Sequence, residues 1–487
     1  MPIAVRTEPT GKKRKRPNQP ESARQRQKSN SPSDSDEQKA HILLLEGSIL
    51  ESRKNYNDIV KLLEIARSDA NDHKQLAAVA LCRVFCRLIA SGRLTEERGS
   101  SKSDLTIINW LEDRKDDFRN VLMKWLEAED ESMPSVSLTL ILRLLKEEAT
   151  LSRFYRLMDV RFVDIIRQLT LETCQEKVVS EFIEKYVLLY ADVRYRTLNA
   201  IGTLFPNAEY EGQAEKAMSM LLRIKPSESD SLLCDDAKTK KPRALQSQKA
   251  QMHKAQSAWT GLLQQKQTKS QRKRVLEAIP GHIAPSIVEP EILMDFLTDS
   301  IDVGGSTALM ALSGIFYLIQ GRNLDYPQFY RKLYSMLDEQ IMHSKHRSRF
   351  FRLLETFLES THLPAVMVAS FIKRMARLAL CAPPSGIVVV VPFIYNLLQN
   401  HPTCTFMIHR TTSLPKGNEH QWGDPFRSEE QDPMATVAIE SSLWEIVTLQ
   451  SHYHPNVAAI AKIISEPFTK HAYNLEDFLD HSYDTVR

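Results

Sequence analysis

One spacing recurs along most of the chain and limits what it can fold into: apolar residues at i, i+3, i+4 and i+7. Tyr56, Ile59, Val60 and Leu63 carry it, as do Leu81, Val84, Phe85 and Leu88, then Phe118, Val121, Leu122 and Trp125. It returns at Leu138, Ile141, Leu142 and Leu145, at Phe162, Ile165, Ile166 and Leu169, and at Ile183, Tyr186, Val187 and Tyr190. At 3.6 residues per turn each set occupies one side of a helix and needs a neighbour to cover it. Short polar joints such as residues 91–104 separate the sets, and only residues 386–391 look strand-like. Consecutive helices with short joints are the pattern of stacked helical pairs. The chain therefore reads as all-α, an irregular HEAT/armadillo-like helical-repeat solenoid with a disordered basic N-terminal tail.

Residues 295–337 concentrate the pattern. A loop with Gly304 and Gly305 opens a helix over about 306–320, and a second helix starts beside Pro327. In the second, Tyr326, Phe329, Tyr330, Leu333, Tyr334, Leu337 and Ile341 form one apolar stripe. A stripe this wide is core against a neighbouring hairpin, which leaves Gln328, Arg331, Lys332 and Ser335 as the face open to a partner. Later, Pro364 begins a helix with Val368, Phe371, Ile372, Met375 and Leu378, and Asp432-Pro433 supplies a cap and first turn for a helix with Ile439, Leu443, Ile446 and Val447. The apolar run 386–398 is too short to span a bilayer and reads as a buried helix.

The net charge of +3 conceals an uneven distribution. Residues 1–30 hold nine Lys/Arg against two acids, and residues 237–274 hold eleven with no acid, so the rest of the chain is acidic. The expected organisation is a disordered basic tail at 1–38, N-terminal helical repeats at 39–224, a basic linker at 225–274 and a C-terminal helical-repeat domain at 275–487. The tail lacks the large apolar residues that ordering requires. Within it Lys12, Lys13, Arg14, Lys15 and Arg16 form a nuclear-localisation run, and Ser31, Ser33 and Ser35 are candidates for phosphorylation. In the second basic segment Lys238, Lys240, Lys241, Arg243, Lys249, Lys254, Arg272, Lys273 and Arg274 are candidates for contact with RNA phosphates or with an acidic partner, with Trp259 able to stack on a base. A plain solvated loop fits the same charges.

No constellation for catalysis or metal binding stands out. Cys82 and Cys86 sit one turn apart among Leu81, Val84, Phe85 and Leu88, as small buried residues do. The other four cysteines are scattered and no apolar leader precedes them, which suits a reducing compartment. His452 and His454 lack further ligands at zinc spacing and suit a helix end. The Gly-Gly-Ser-Thr at 304–307 opens a helix but lacks the phosphate-loop pattern.

Several long motifs carry a resemblance. DFLTDSIDVGGSTALMALSGIFYLI with LDYPQFYRKLY, then DPF at 424–426, SSLWEIVTLQSHYHPNVA at 441–458 and EDFLDHSY at 476–483 stand in the order of the CBF (CCAAT-binding factor) domain family of ribosome assembly proteins, which the chain resembles closely over 290–483. The resemblance implies that Gly304, Gly305, Tyr326, Pro327, Phe329, Tyr330, Asp424, Pro425, Leu443, Trp444, Glu445, His452, Tyr453 and Pro455 serve core or partner interface. It implies a nuclear, nucleolar scaffold without catalysis or cofactor, acting in 40S biogenesis and 18S rRNA processing within the small-subunit processome. It also implies an obligate complex with nucleolar protein 14 and contact with the pre-ribosomal particle, without a membrane or a small-molecule substrate. A karyopherin-like nuclear transport adaptor is the rival reading of the same helical pattern.

Overall fold

The computed structural model describes residues 34–68, 73–95, 102–130, 132–150, 157–207, 212–227, 231–233, 245–322, 326–344, 346–409, 423–468 and 471–479. Helices are the regular structure throughout these residues, and no strand forms among them. The chain divides into two compact units, Met1–Phe118 and Arg119–Arg487. The nuclear-localisation run Lys12 to Arg16 and the basic residues Lys238, Lys240, Lys241 and Arg243 lie outside the described residues.

In the first unit α1 (Asp34–Glu51) begins inside the segment expected to be tail. It packs, with α2 (Asp58–Arg67), on α3 (Lys74–Ala90). The central position of α3 explains why its sequence is apolar on more than one side: Ala77, Ala78, Leu81, Val84, Phe85 and Leu88 are all buried, and so are Cys82 and Cys86. Phe85 stacks on Phe118 of α4 (Lys102–Trp125) with ring centroids 5.8 Å apart.

The second unit continues with α5 (Met133–Glu148), α6 (Met158–Thr170), α7 (Glu176–Phe182), α8 (Ala191–Leu204) and α9 (Ala214–Leu221). A π-helical turn at Ile183–Val187 extends α7. Its last carbonyls are met by Arg194, a buried cation that donates to Val187 O, Leu188 O and Ser227 O. Burial pushes this guanidinium down from its ordinary pKa, yet five donors in one plane can still satisfy neutral carbonyls.

Much of the basic segment that the structure describes is helical. Residues 248–278 form α10 (Gln248–Leu263) and α11 (Lys269–Ala278). The first packs on α8, close enough that a Cβ on Gly202 would lie 3.2 Å from Ala258 N, and one on Gly261 would lie 3.3 Å from Pro206. Ala255, Ala258, Trp259 and Leu262 are buried along its inner face. A capping box at Thr268 and Gln271 starts α11. Lys249, Lys254, Lys269 and Lys273 lie on these two helices and are exposed or half-buried.

Beyond it, α13 (Gly305–Arg322) contains the helix expected at 306–320, and its main helical neighbour is α12 (Leu293–Asp302) before it rather than the helix beside Pro327. Gly304 and Gly305 adopt φ of +78° and +57°, the left-handed region that only glycine enters without strain. The stripe that follows is cut in two, as α14 (Phe329–Ser335) and α15 (Glu339–His343), because the Asp338 carboxylate accepts from Ile341 N and starts a new helix. Phe329, Leu333, Tyr334 and Leu337 are buried. Phe329 packs on Phe316 and Phe357, and the Tyr330 hydroxyl donates to Phe357 O at 3.2 Å.

Three long helices follow: α16 (Arg347–Leu358), α17 (Ala365–Leu380) and α18 (Pro384–Asn400). The last contains residues 386–398 and is buried on every side, which is why that sequence shows no polar face. Asp432-Pro433 does not begin a helix. Asp432 accepts from Met434 N in a turn, Val437 enters the left-handed region at φ +59° before a short 3-10 turn at Ala438–Glu440, and α-helix resumes only at α19 (Trp444–Leu449), followed by α20 (Pro455–Lys462). Residues 471–479 lie back over α16 and α18, with Arg352 gripping both oxygens of Glu476 at 2.7 Å and Ser348 donating to Leu479 O. Asn396 exchanges two hydrogen bonds with the backbone of Tyr473, at 2.7 and 2.8 Å.

Candidate functional site

The motif residues Asp424, Trp444 and Glu445 converge on two cations of α17. Lys373 and Arg377 stand four residues apart and so on one side of that helix. Lys373 is wholly buried, with Nζ 2.9 Å from Asp424 Oδ2 and 2.7 Å from Glu445 Oε1, and it also donates to Ser442 O at 2.6 Å. Arg377 reaches the same two acids, Nη2 to Asp424 at 2.7 Å and Nε to Glu445 at 2.7 Å. The Nε contact is ionic proximity rather than a directed hydrogen bond, since neither atom gains a well-aligned partner from it. Two cations face two anions, so the cluster has no net charge. A set of buried charges is tolerable only when paired and hydrogen-bonded in this way.

Asp424 is the hub. Burial alone would raise its pKa, but hydrogen bonds from Ser441, Lys373, Trp444 Nε1 and Phe426 N outweigh burial and hold the carboxyl well below the usual carboxylate range. The Trp444 indole is thus tethered at its nitrogen, 2.9 Å from Asp424, while Lys373 and Arg377 lie over its ring at 5.4 and 4.9 Å.

Above this buried cluster the surface turns apolar. Trp444 keeps 40% of its area exposed, Val447 one turn further along α19 keeps 64%, and Tyr453 in the turn before α20 keeps 81%. The His452 ring lies against that of Tyr453 at 4.3 Å and accepts from His454 N, while the His452 backbone N–H donates to Leu449 O at the end of α19. Of the other motif residues, Leu443 and Glu445 are core, Pro425 and Pro327 are exposed, Tyr326 is half-buried, and Pro455 opens α20.

The basic segment offers less than its composition suggests. Trp259 is only 2% exposed and cannot stack on a base. Lys254 lies over Tyr195, Arg272 lies over Phe296 and donates to Ser300, and Arg274 pairs with Glu215. Lys249, Lys266 and Lys269 are exposed and Lys273 half-buried, with no ion pair among the described residues. On the polar face of α14, Lys332 pairs with Asp302 at 2.7 Å.

Lys373, Arg377 and Ser441 were not singled out by the sequence. The available signal was a lysine and an arginine at i, i+4 within a helix otherwise poor in charge.

Residues 308–461, which enclose this cluster, match the CBF/Mak21 family, and residues 30–211 match the family described as nucleolar complex protein 4-like, TPR repeats. Nucleolar complex protein 4 of Saccharomyces cerevisiae is 32% identical over 89% of this chain and 88% of its own length, and the Danio rerio homologue is 31% identical over 89% and 86%. An uncharacterised protein of Schizosaccharomyces pombe is 38% identical over 91% of this chain and 93% of its own. Similarity of this extent, running through both the repeats and the domain that holds the charged cluster, makes the chain a member of the nucleolar complex protein 4 family.

Proposed function

We propose that the chain is a non-catalytic scaffold in assembly of the small (40S) ribosomal subunit, supporting 18S rRNA processing within the small-subunit processome and working as a complex with nucleolar protein 14. Nucleolar residence and a part in ribosome biogenesis go with membership of the family. The observation that carries the scaffold reading is the arrangement at Asp424: charges turned inward and neutralised, aromatic and aliphatic side chains turned outward. Such a site binds by shape and burial; it makes and breaks no bond.

The particle supplies polyanion as well, and Lys249, Lys266, Lys269 and Lys273 are the described cations of the basic segment available to it. Purification of tagged protein from cells tests the whole reading. Recovery of 18S precursors and nucleolar protein 14 is the expected result, and recovery of large-subunit precursors in their place would overturn it.

A further inference from the structure

We propose that Ser227 is a phosphorylation site whose phosphate seats against the guanidinium of Arg194. The assignment stands apart from the scaffold reading and from the cluster around Asp424.

Arg194 on α8 is only 2% exposed, and every acceptor it meets is neutral: Val187 O, Leu188 O, Ser227 O and Oγ, and Gln251 Oε1. No carboxylate pairs with it among the described residues, and burial alone accounts for its lowered pKa. Other buried cations of this unit, Arg161, Arg196 and Lys373, each reach an acid. A cation withdrawn from water without an opposite charge is costly, and neutral oxygens offset only part of that cost. Arg194 is therefore a buried charge left unbalanced.

Ser227 gives access to it. Its Oγ accepts from Arg194 Nη1 at 2.7 Å, while the residue itself is exposed, in backbone without regular structure. Three acceptors crowd Nη1, at 2.7, 2.9 and 3.4 Å, so an anion at Ser227 would displace the weakest. Phosphate holds a guanidinium more strongly than a hydroxyl does, through short charge-assisted bonds. The start of α10 adds to the field: its first turn holds no acidic residue, Gln251 accepts from Ser227 N, and Gln248 donates to Pro226 O.

In sequence Glu228 and Asp230 come soon after Ser227, which suits a serine kinase that favours acidic residues beyond its target. In the transfer Ser227 Oγ bonds to the terminal phosphorus of ATP, the bond to ADP breaks, and the hydroxyl proton leaves to solvent. The product ties the segment after α9 to α8 by an ion pair in place of a neutral bond.

The test is phosphorus NMR of the full chain with phosphoserine encoded genetically at position 227, titrated folded and in urea. In urea the phosphate should titrate near its ordinary value, about 6. In the folded chain the midpoint should fall by about one pH unit or more, a tenfold loss of proton affinity. Lys225→Gln, at an exposed neighbour, should keep that difference. Equal midpoints in both states, a difference that vanishes in Lys225→Gln, or loss of the helical circular dichroism would overturn the seat at Arg194. Mass spectrometry of tagged protein from growing cells checks that the site is used, with phosphate on Ser227 that phosphatase removes as the expected result. Ser227 found only unmodified, or phosphate confined to Ser229 or Ser231, would overturn the modification.

Discussion

Lys373 and Glu445 meet with both side chains wholly withdrawn from solvent, Nζ 2.7 Å from Oε1. Removing one partner strands a charge in the interior. Lys373→Met should therefore destabilise the protein by about 3–5 kcal/mol, and the double variant Lys373→Met/Glu445→Leu should recover much of that loss, because Arg377 and Asp424 still balance each other. Chemical denaturation of the two single variants and the double variant measures the coupling. Additive losses would show that the pair does not act as a unit.

His282 should make stability depend on mild acid. Its two ring nitrogens are buried without a hydrogen-bond partner among the described residues, and burial, with Lys225 second, lowers its pKa from 6.5. The folded state resists the proton and the unfolded state accepts it. The contribution is therefore full above about pH 6.5 and is lost as pH falls below that value through the folded pKa. Urea midpoints measured on either side of that value should differ more for wild type than for His282→Phe.

Trp259 and the lysines around it should separate cleanly in a mutant series. Trp259→Ala removes a buried ring and should cost about 3–5 kcal/mol. Lys269→Glu with Lys273→Glu should leave the unfolding curve in place and reduce crosslinking to pre-rRNA. Unchanged crosslinking in that variant would remove α11 from the RNA surface.

Tyr330 and Lys332, two residues apart, should differ in the same way. Tyr330→Phe loses one hydrogen bond to Phe357 O and should cost about 1 kcal/mol, whereas Tyr330→Ala also empties packing against Phe329 and should cost about 3 kcal/mol or more. The Lys332 pair with Asp302 is solvent-exposed, so Lys332→Ala should cost about 1 kcal/mol at most. Thermal unfolding of the three proteins orders them.

Helix existence was legible because apolar spacing is a local property, and the start of α13 followed from it together with two glycines. Trp259 was legible too: Ala255, Ala258, Trp259 and Leu262 fall at i, i+3, i+4 and i+7, but the surrounding lysines pointed to a surface for RNA or an acidic partner. Asp432-Pro433 is a sound local helix start that tertiary structure overrides, since the loop instead closes through Arg427 N to Thr436 O. The charged cluster was hidden for another reason. Glu445 lies 72 residues beyond Lys373, and no short-range pattern reports that a lysine beside Ile372 is buried rather than solvated.

The clasp between Asn396 and Tyr473 joins residues 77 positions apart. During synthesis α18 leaves the ribosome long before its covering segment exists, with Tyr395 still lacking the rings of Phe468 and Tyr473 that flank it in the finished protein. Vectorial folding can therefore build the helices in order but cannot seal this edge until Tyr473 emerges. A chain lacking Tyr473 would keep an open aromatic seam beside Tyr395, the kind of surface that chaperones and proteases recognise.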